Sequence, residues 1–222
     1  MIRKQTLLGL LVLVSLKTTA QGRYCTSYDD YIAGNWIELP SLTVSPESTS
    51  EKVPDDALDY SFTTNDKSTD KKLKKEAFII ECNDSLFISL RNLRCNNGPF
   101  TDHFAHAYPL PDNKLLFTTR RSQKRGSTLY ASVGVMGGAI GGAIAGAALN
   151  TKSSKKHPVC YVAENIDLGN HIPVRLLDDD LIPKVMKGHQ DMIDEYYLEE
   201  KKSKRERAEH IMPLLKKAGI IE

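Results

Sequence analysis

The stretch "GVMGGAIGGAIAGAA", residues 134–148, decides how the rest of the chain is read, because it fits three incompatible structures: a phosphate loop, a membrane span and a packing helix. The nucleotide loop fails on register. No Gly-x-Gly-x-x-Gly occurs in the stretch and no Gly-Lys-Ser/Thr follows it, so neither dinucleotide nor triphosphate fingerprint is present. As a helix the stretch has a clear geometry. Gly134, Gly138, Gly142 and Gly146 recur every four residues and share one stripe, while Met136, Ile140 and Ile144 form a ridge on the other side. Glycine opposes a helix interior by about 1 kcal/mol relative to alanine, so the four together cost about 4 kcal/mol unless something packs into the groove.

This small-xxx-small spacing is what allows helix backbones to approach closely in a bilayer. Leu129 to Leu149 contains no charged residue and is long enough to span, although glycine and alanine leave its hydrophobicity marginal. Arg120, Arg121, Lys124 and Arg125 precede it and Lys152, Lys155 and Lys156 follow, so flanking charge gives no orientation and suits contact with anionic headgroups as well. The partners expected for residues 129–149 are therefore a membrane or a second copy of the chain, with packing inside the protein and a glycine-rich loop as further possibilities.

Outward from the insertion, the pattern is that of strands. "AFIIEC" and "SLFISLRNL" flank "ND", and "HFAHAY" and "KLLFTTR" flank "PLPDN", both hairpin signals. "PVCYVAEN" and "HIPVRLL" make a third pair around "IDLG". The glycine-rich stretch separates "KLLFTTR" from "PVCYVAEN", which would otherwise be neighbours. Upstream, "TSYDDYIAGN" reads as a short helix stopped by Gly34 and "WIELPSLTV" as extended chain. Residues 45–75 shift to Ser, Thr, Asp, Lys and Pro and read as a flexible surface excursion with at best a short helix near Asp70 to Glu76. Downstream, residues 178–222 read as a helical region: "DDDLIPKVMKG" with a stop at Gly188, then a long charged helix with Glu200–Lys204 and Arg205–Glu209 pairs, broken or restarted at Pro213. The expected fold is α+β, an antiparallel meander of about six or seven strands with a glycine-zipper helix inserted between two of them and helices at the C-terminal end.

The chain begins with Arg3 and Lys4, an apolar run from Leu7 to Leu16, and a small-residue ending at Ala20. That reads as a secretory signal over residues 1–20, with one domain over 21–222. The expected location is the periplasm or cell envelope. The 222-residue chain has 30 Lys plus Arg against 28 Asp plus Glu, and three of the basic residues lie in the signal, so the processed chain is near neutral and no nucleic-acid partner is expected. "DKKLKK" and "EEKKSKRERAE" carry acids among their bases and read as solvated faces. Cys25, Cys82, Cys95 and Cys160 are possible disulfide partners in an oxidising compartment, with reduced core thiols as the alternative. A Cys82–Cys95 bridge is disfavoured, because the strand between them spans about 25 Å.

No catalytic constellation stands out. Asp102, His103 and His106 are weak metal candidates: His-x-x-His faces two ways on a strand, and a third ligand is missing. His157 and Cys160 lack a Cys-x-x-Cys companion, and "LDDDLI" lacks the ligand alternation of a calcium loop. There is no Gly-x-Ser-x-Gly elbow. No cofactor is expected.

The series "CNDSLFISLRNL", "KLLFTTR", "GGAIGGAIAGA", "CYVAENIDLGNHIPVRLLDDDLI" and a charged terminal helix resembles a family of uncharacterised exported proteins from gut-dwelling Gram-negative anaerobes. The resemblance covers roughly Tyr24 to Ile221. It implies a glycine-rich insertion outside the sheet, and it implies no substrate, cofactor or catalytic residue. The functional expectation is an exported envelope protein, more plausibly not an enzyme, whose zipper segment contacts a membrane or another copy of itself. The alternatives are a periplasmic metal-dependent hydrolase centred on Asp102, His103 and His106, and a soluble module with a ligand pocket in the sheet.

Overall fold

A computed structural model describes residues 20–46, 59–91, 93–95, 98–120, 157–164 and 172–222. Residues 1–19 and the whole glycine-rich stretch lie outside them. The strands are β1 (Ala20–Cys25), β2 (Ile37–Pro46), β3 (Asp59–Thr63), β4 (Ile79–Cys82), β5 (Ser85–Ser89), β6 (Leu93–Cys95), β7 (Gly98–Pro99), β8 (Phe104–Leu110), β9 (Lys114–Arg120), β10 (Pro158–Ala163) and β11 (Ile172–Leu176). The helices are α1 (Tyr28–Ala33), α2 (Lys67–Glu76), α3 (Ile182–Val185), α4 (Gln190–Tyr197), α5 (Lys202–Arg205) and α6 (Ala208–Lys217).

Local chemistry sets the tight connections. Asn83 and Asp84, and Asp112 and Asn113, all adopt positive φ, between 51° and 60°, as two-residue primed turns require and as Asn and Asp tolerate best. They join β4 to β5 and β8 to β9. In α1 the Ser27 hydroxyl accepts from the Asp30 N–H at 3.0 Å, and Gly34 ends the helix at φ 72°, the usual cap and stop.

The ladder runs β3-β2-β1-β4-β5-β8-β9-β10-β11-β6-β7. A further pairing, Asp59 with Ala105 and Tyr60 with Phe104, joins β3 to β8 and closes β3-β2-β1-β4-β5-β8 into a six-stranded antiparallel barrel. The closure is strongly staggered, because β2 pairs with β1 at its Ile37 end and with β3 at its Pro46 end. A barrel this small is filled by its own side chains. Tyr24, Leu42, Phe62, Ile80, Phe87 and Phe104 occupy the interior, and Leu73 of α2 joins the same core.

Beyond β8 the sheet curls a second time. Only three residues lie between the end of β5 and the start of β6, four Cα steps with a reach of about 14 Å. Five ladder spacings separate the same two strands in the sheet, about 24 Å if flat. The β8-β9-β10-β11-β6 arm therefore bends back around its own core of Phe117, Tyr161, Ile88, Leu93 and Val174. Helix α1 covers the open side, with the Tyr28 hydroxyl donating to the Ala163 carbonyl at 3.3 Å. The other face of β8, β9 and β10, from Tyr108 and Leu116 to Cys160 and Val162, is covered by Met186, Met192, Tyr196, Ile211 and Leu215 of the C-terminal helices and their connections.

Three expectations change. Among the described residues there are ten strands of three residues or more plus the two-residue β7, instead of six or seven, and ring closure replaces a simple meander. Within 45–75, the segment expected to be a surface excursion, β3 contributes the buried Phe62 and α2 contributes Leu73; residues 47–58 lie outside the described part. The terminal helix is interrupted at 198–201 and at Glu206–Arg207, and it continues through Pro213. The missing Pro213 N–H removes one helical bond, while buried Ile211, Met212, Leu214 and Leu215 on both sides of it hold α6 to the sheet. With the helix broken, Arg205 turns to Asp179 and Lys202 pairs with Glu206 at 3.6 Å, in place of the expected Glu200–Lys204 and Arg205–Glu209 spacing.

Candidate functional site

The glycine-rich insertion leaves the fold from β9 and returns at β10. These two strands are direct antiparallel neighbours, in register from Leu115 opposite Ala163 to Arg120 opposite Pro158. The chain thus departs and returns at adjacent points of a finished sheet. Both sides of that root are fastened. Thr119, 2 % exposed, donates from its hydroxyl to an Asp59 carboxylate oxygen at 3.0 Å, tying β9 to the start of β3. Val159 forms an isolated bridge with Arg207, tying β10 to the α5–α6 junction. The zipper positions Gly134, Gly138, Gly142 and Gly146, with Met136, Ile140 and Ile144, lie outside the described residues. No helix among the described residues is long and apolar enough to cross a membrane.

The weak metal candidates do not converge. His106 lies on β8 with its ring 4.5 Å from Tyr108 and 5.3 Å from Phe87, centroid to centroid. His103 and the exposed Asp102 precede that strand. Among the described residues no group of three His, Cys, Asp or Glu side chains is placed to hold a metal ion. The four cysteines carry no bridge: Cys82 belongs to the barrel core, Cys25 to the second core and Cys160 to the helical one. Burial pushes the Cys25 thiol up to about 12, far from the range of a nucleophilic thiolate.

Two polar constellations emerge that the sequence does not announce. On the outer face of the barrel, Glu38, Arg23 and Glu81 stand opposite one another across β2, β1 and β4. Arg23 donates through Nε and Nη2 to the two Glu81 oxygens at 3.0 and 2.9 Å and lies 4.7 Å over the Trp36 ring. With Asn83 and Asp84 they line an open, polar depression of about 360 Å³. It offers carboxylates and amides for hydrogen bonding and contains neither His nor Cys. Finding it requires the register of three strands, and only two of those adjoin in sequence order.

The second constellation fastens the helices. Arg205 forks Asp179 at 2.9 and 2.8 Å, and the Tyr196 hydroxyl donates to the same carboxylate at 2.9 Å. These bonds, Arg205 first, hold the Asp179 carboxyl below the usual carboxylate range. Burial, with Asp179 adding to it, pushes the Tyr196 hydroxyl above the usual tyrosine range. The arrangement locks side chains in place and leaves no open coordination or nucleophile–base pair, so its work is structural. The triple-Asp run and the basic terminal helix are both visible in the sequence; their meeting depends on the break after α4.

Together these features define an α+β protein with a filled antiparallel barrel, a second curled sheet and a helical cover, without a recognisable catalytic centre among the described residues. The chain belongs to a family of unknown function, DUF6563, whose model matches residues 23–222. No curated protein and no solved structure matches it.

Proposed function

We propose that this is an exported cell-envelope protein with a non-enzymatic role, in which a rigid β scaffold presents the Gly134–Gly146 zipper for contact with a membrane or with a second copy of the chain. The observation that carries the proposal is the root: β9 and β10 pair up to Arg120 and Pro158, so the insertion leaves and rejoins the scaffold at adjacent points of one sheet. A helix with four glycines on one stripe needs a close partner to offset about 4 kcal/mol of lost propensity. The partner we propose is external, a membrane or a second copy of the chain. The basic residues flanking residues 129–149 suit anionic headgroups, and the signal-like residues 1–20 supply the route.

Replacing Gly138 and Gly142 by Leu fills the groove. The expected outcome is loss of self-association in cross-linking and of recovery with salt-washed membranes, with the unfolding temperature of the scaffold unchanged. Unchanged association would show that the groove is not the interface. Neither the hydrolase nor the ligand-pocket alternative is favoured by a specific observation: the barrel interior is filled with aromatic side chains, and Asp102, His103 and His106 form no metal cluster among the described residues.

A further inference from the structure

We infer that the lysine face of α2 is a second contact with anionic lipid headgroups, an inference that rests on the envelope reading above. In sequence, "KSTDKKLKKE" mixes acids with bases. Folding separates them. At 100° per residue, Lys67, Lys71, Lys74 and Lys75 fall within an arc of about 100°, and all four are exposed. Leu73, roughly opposite, is buried in the barrel core, which turns the lysine arc outward.

The acids of the helix are engaged elsewhere. Asp66 caps the N-terminus, accepting from the Ser68 and Thr69 N–H groups at 3.2 and 2.8 Å. Asp70 accepts from the Thr64 N–H and hydroxyl at 2.5 and 2.8 Å. Glu76 pairs with Lys72 on the far flank at 4.0 Å. Among the described residues no carboxylate lies within ion-pair distance of Lys67, Lys71, Lys74 or Lys75. Arg91 donates to the Lys74 and Lys75 carbonyls, adding a positive charge at the C-terminal end and anchoring the helix to the β5–β6 connection.

Lys74 and Lys75 in the last turn suit the helix dipole, but like charges at i,i+3 and i,i+4 oppose a helix, so helix stability does not account for Lys67 and Lys71. It is about 12 Å long and lies on a convex helix surface, which matches a flat array of phosphates rather than a single enclosed anion. Lysines are point charges without the forked or stacking geometry that nucleic-acid recognition draws on, and the processed chain has no overall excess of base to steer it to nucleic acid. Each lysine brought near an anionic bilayer strengthens partition about fivefold.

The test is co-sedimentation of the protein purified from cells with vesicles of phosphatidylcholine containing about a third phosphatidylglycerol, beside vesicles of phosphatidylcholine alone. The expected result is stronger binding to the anionic vesicles than to the neutral ones, with that excess lost in molar salt. Lys67→Gln, Lys71→Gln, Lys74→Gln and Lys75→Gln together should lower partition by about 600-fold, and the Lys71→Gln, Lys75→Gln pair by about 25-fold, both with the wild-type unfolding temperature. The Gly138→Leu, Gly142→Leu variant should keep the salt-sensitive component, which separates this inference from the zipper reading. Wild-type partition by the four-lysine variant, or equal binding to neutral vesicles, would overturn it. So would a variant that loses binding to a single-stranded oligonucleotide while keeping its vesicle binding.

Discussion

Gly22 shows how one residue holds two strands at their observed distance. A Cβ built there would meet Leu42 Cδ2 at 2.5 Å and the Glu81 carbonyl oxygen at 3.2 Å, both on neighbouring strands of the barrel. Gly22→Ala is therefore expected to destabilise the protein by about 1–3 kcal/mol, read from chemical denaturation. The Asp179–Arg205 fork makes a pH-dependent prediction. Because the folded Asp179 carboxyl titrates below its ordinary range, its contribution is fully present above the unfolded value of about 3.9 and is lost as pH falls through the folded value. Asp179→Asn should cost about 1–2 kcal/mol at neutral pH and lose much of the stability difference from wild type at pH 2; an undiminished difference there would place the effect elsewhere. Residue-scale chemistry of this kind was only half legible in the sequence. Gly34 as a helix stop follows from its neighbours, whereas Gly22 reads as an unremarkable residue until β2 and β4 are placed beside it.

At the scale of elements, the hairpins were legible because their turns are local: Asn83–Asp84 and Asp112–Asn113 each carry the residue types that positive φ demands. The β9–β10 pairing was legible only as two runs that could be neighbours apart from the insertion between them. What local signals do not carry is the closure of the barrel by β3, whose five residues sit in a polar stretch and bury one large apolar side chain, Phe62. Nor do they reveal the interruption after α4, where Arg205 exchanges helical pairing for Asp179 and the carbonyls of Glu199 and Glu200. Helix α2 was legible only in part, as a short helix near Asp70 to Glu76. Its role in the barrel comes from Leu73, 1 % exposed. Leu73→Ala is expected to cost about 2–4 kcal/mol, far more than removal of any of the exposed lysines around it, and thermal unfolding of the two kinds of variant would compare them directly.

For the whole molecule, the fold and the insertion divide the labour. Two curled parts of the sheet meet at β8, a helical layer covers the remaining face, and the described cores are dense with aromatic rings, as where the Phe62 ring lies 5.0 Å from that of Phe87 and 5.2 Å from that of Phe104. The candidate site was visible in the sequence as spacing, four glycines at every fourth position. Its attachment to a doubly fastened root became visible only once Thr119–Asp59 and Val159–Arg207 were brought together by folding. An envelope protein with an external zipper accounts for that division. The most direct test is fractionation of cells producing the full chain, with an alkaline carbonate wash of the membranes and mass analysis of the N-terminus. The account predicts a chain beginning at Gln21, recovered with the envelope and reduced in the washed pellet by Gly138→Leu with Gly142→Leu. A chain that retains Met1 and stays in the cytosol would contradict it.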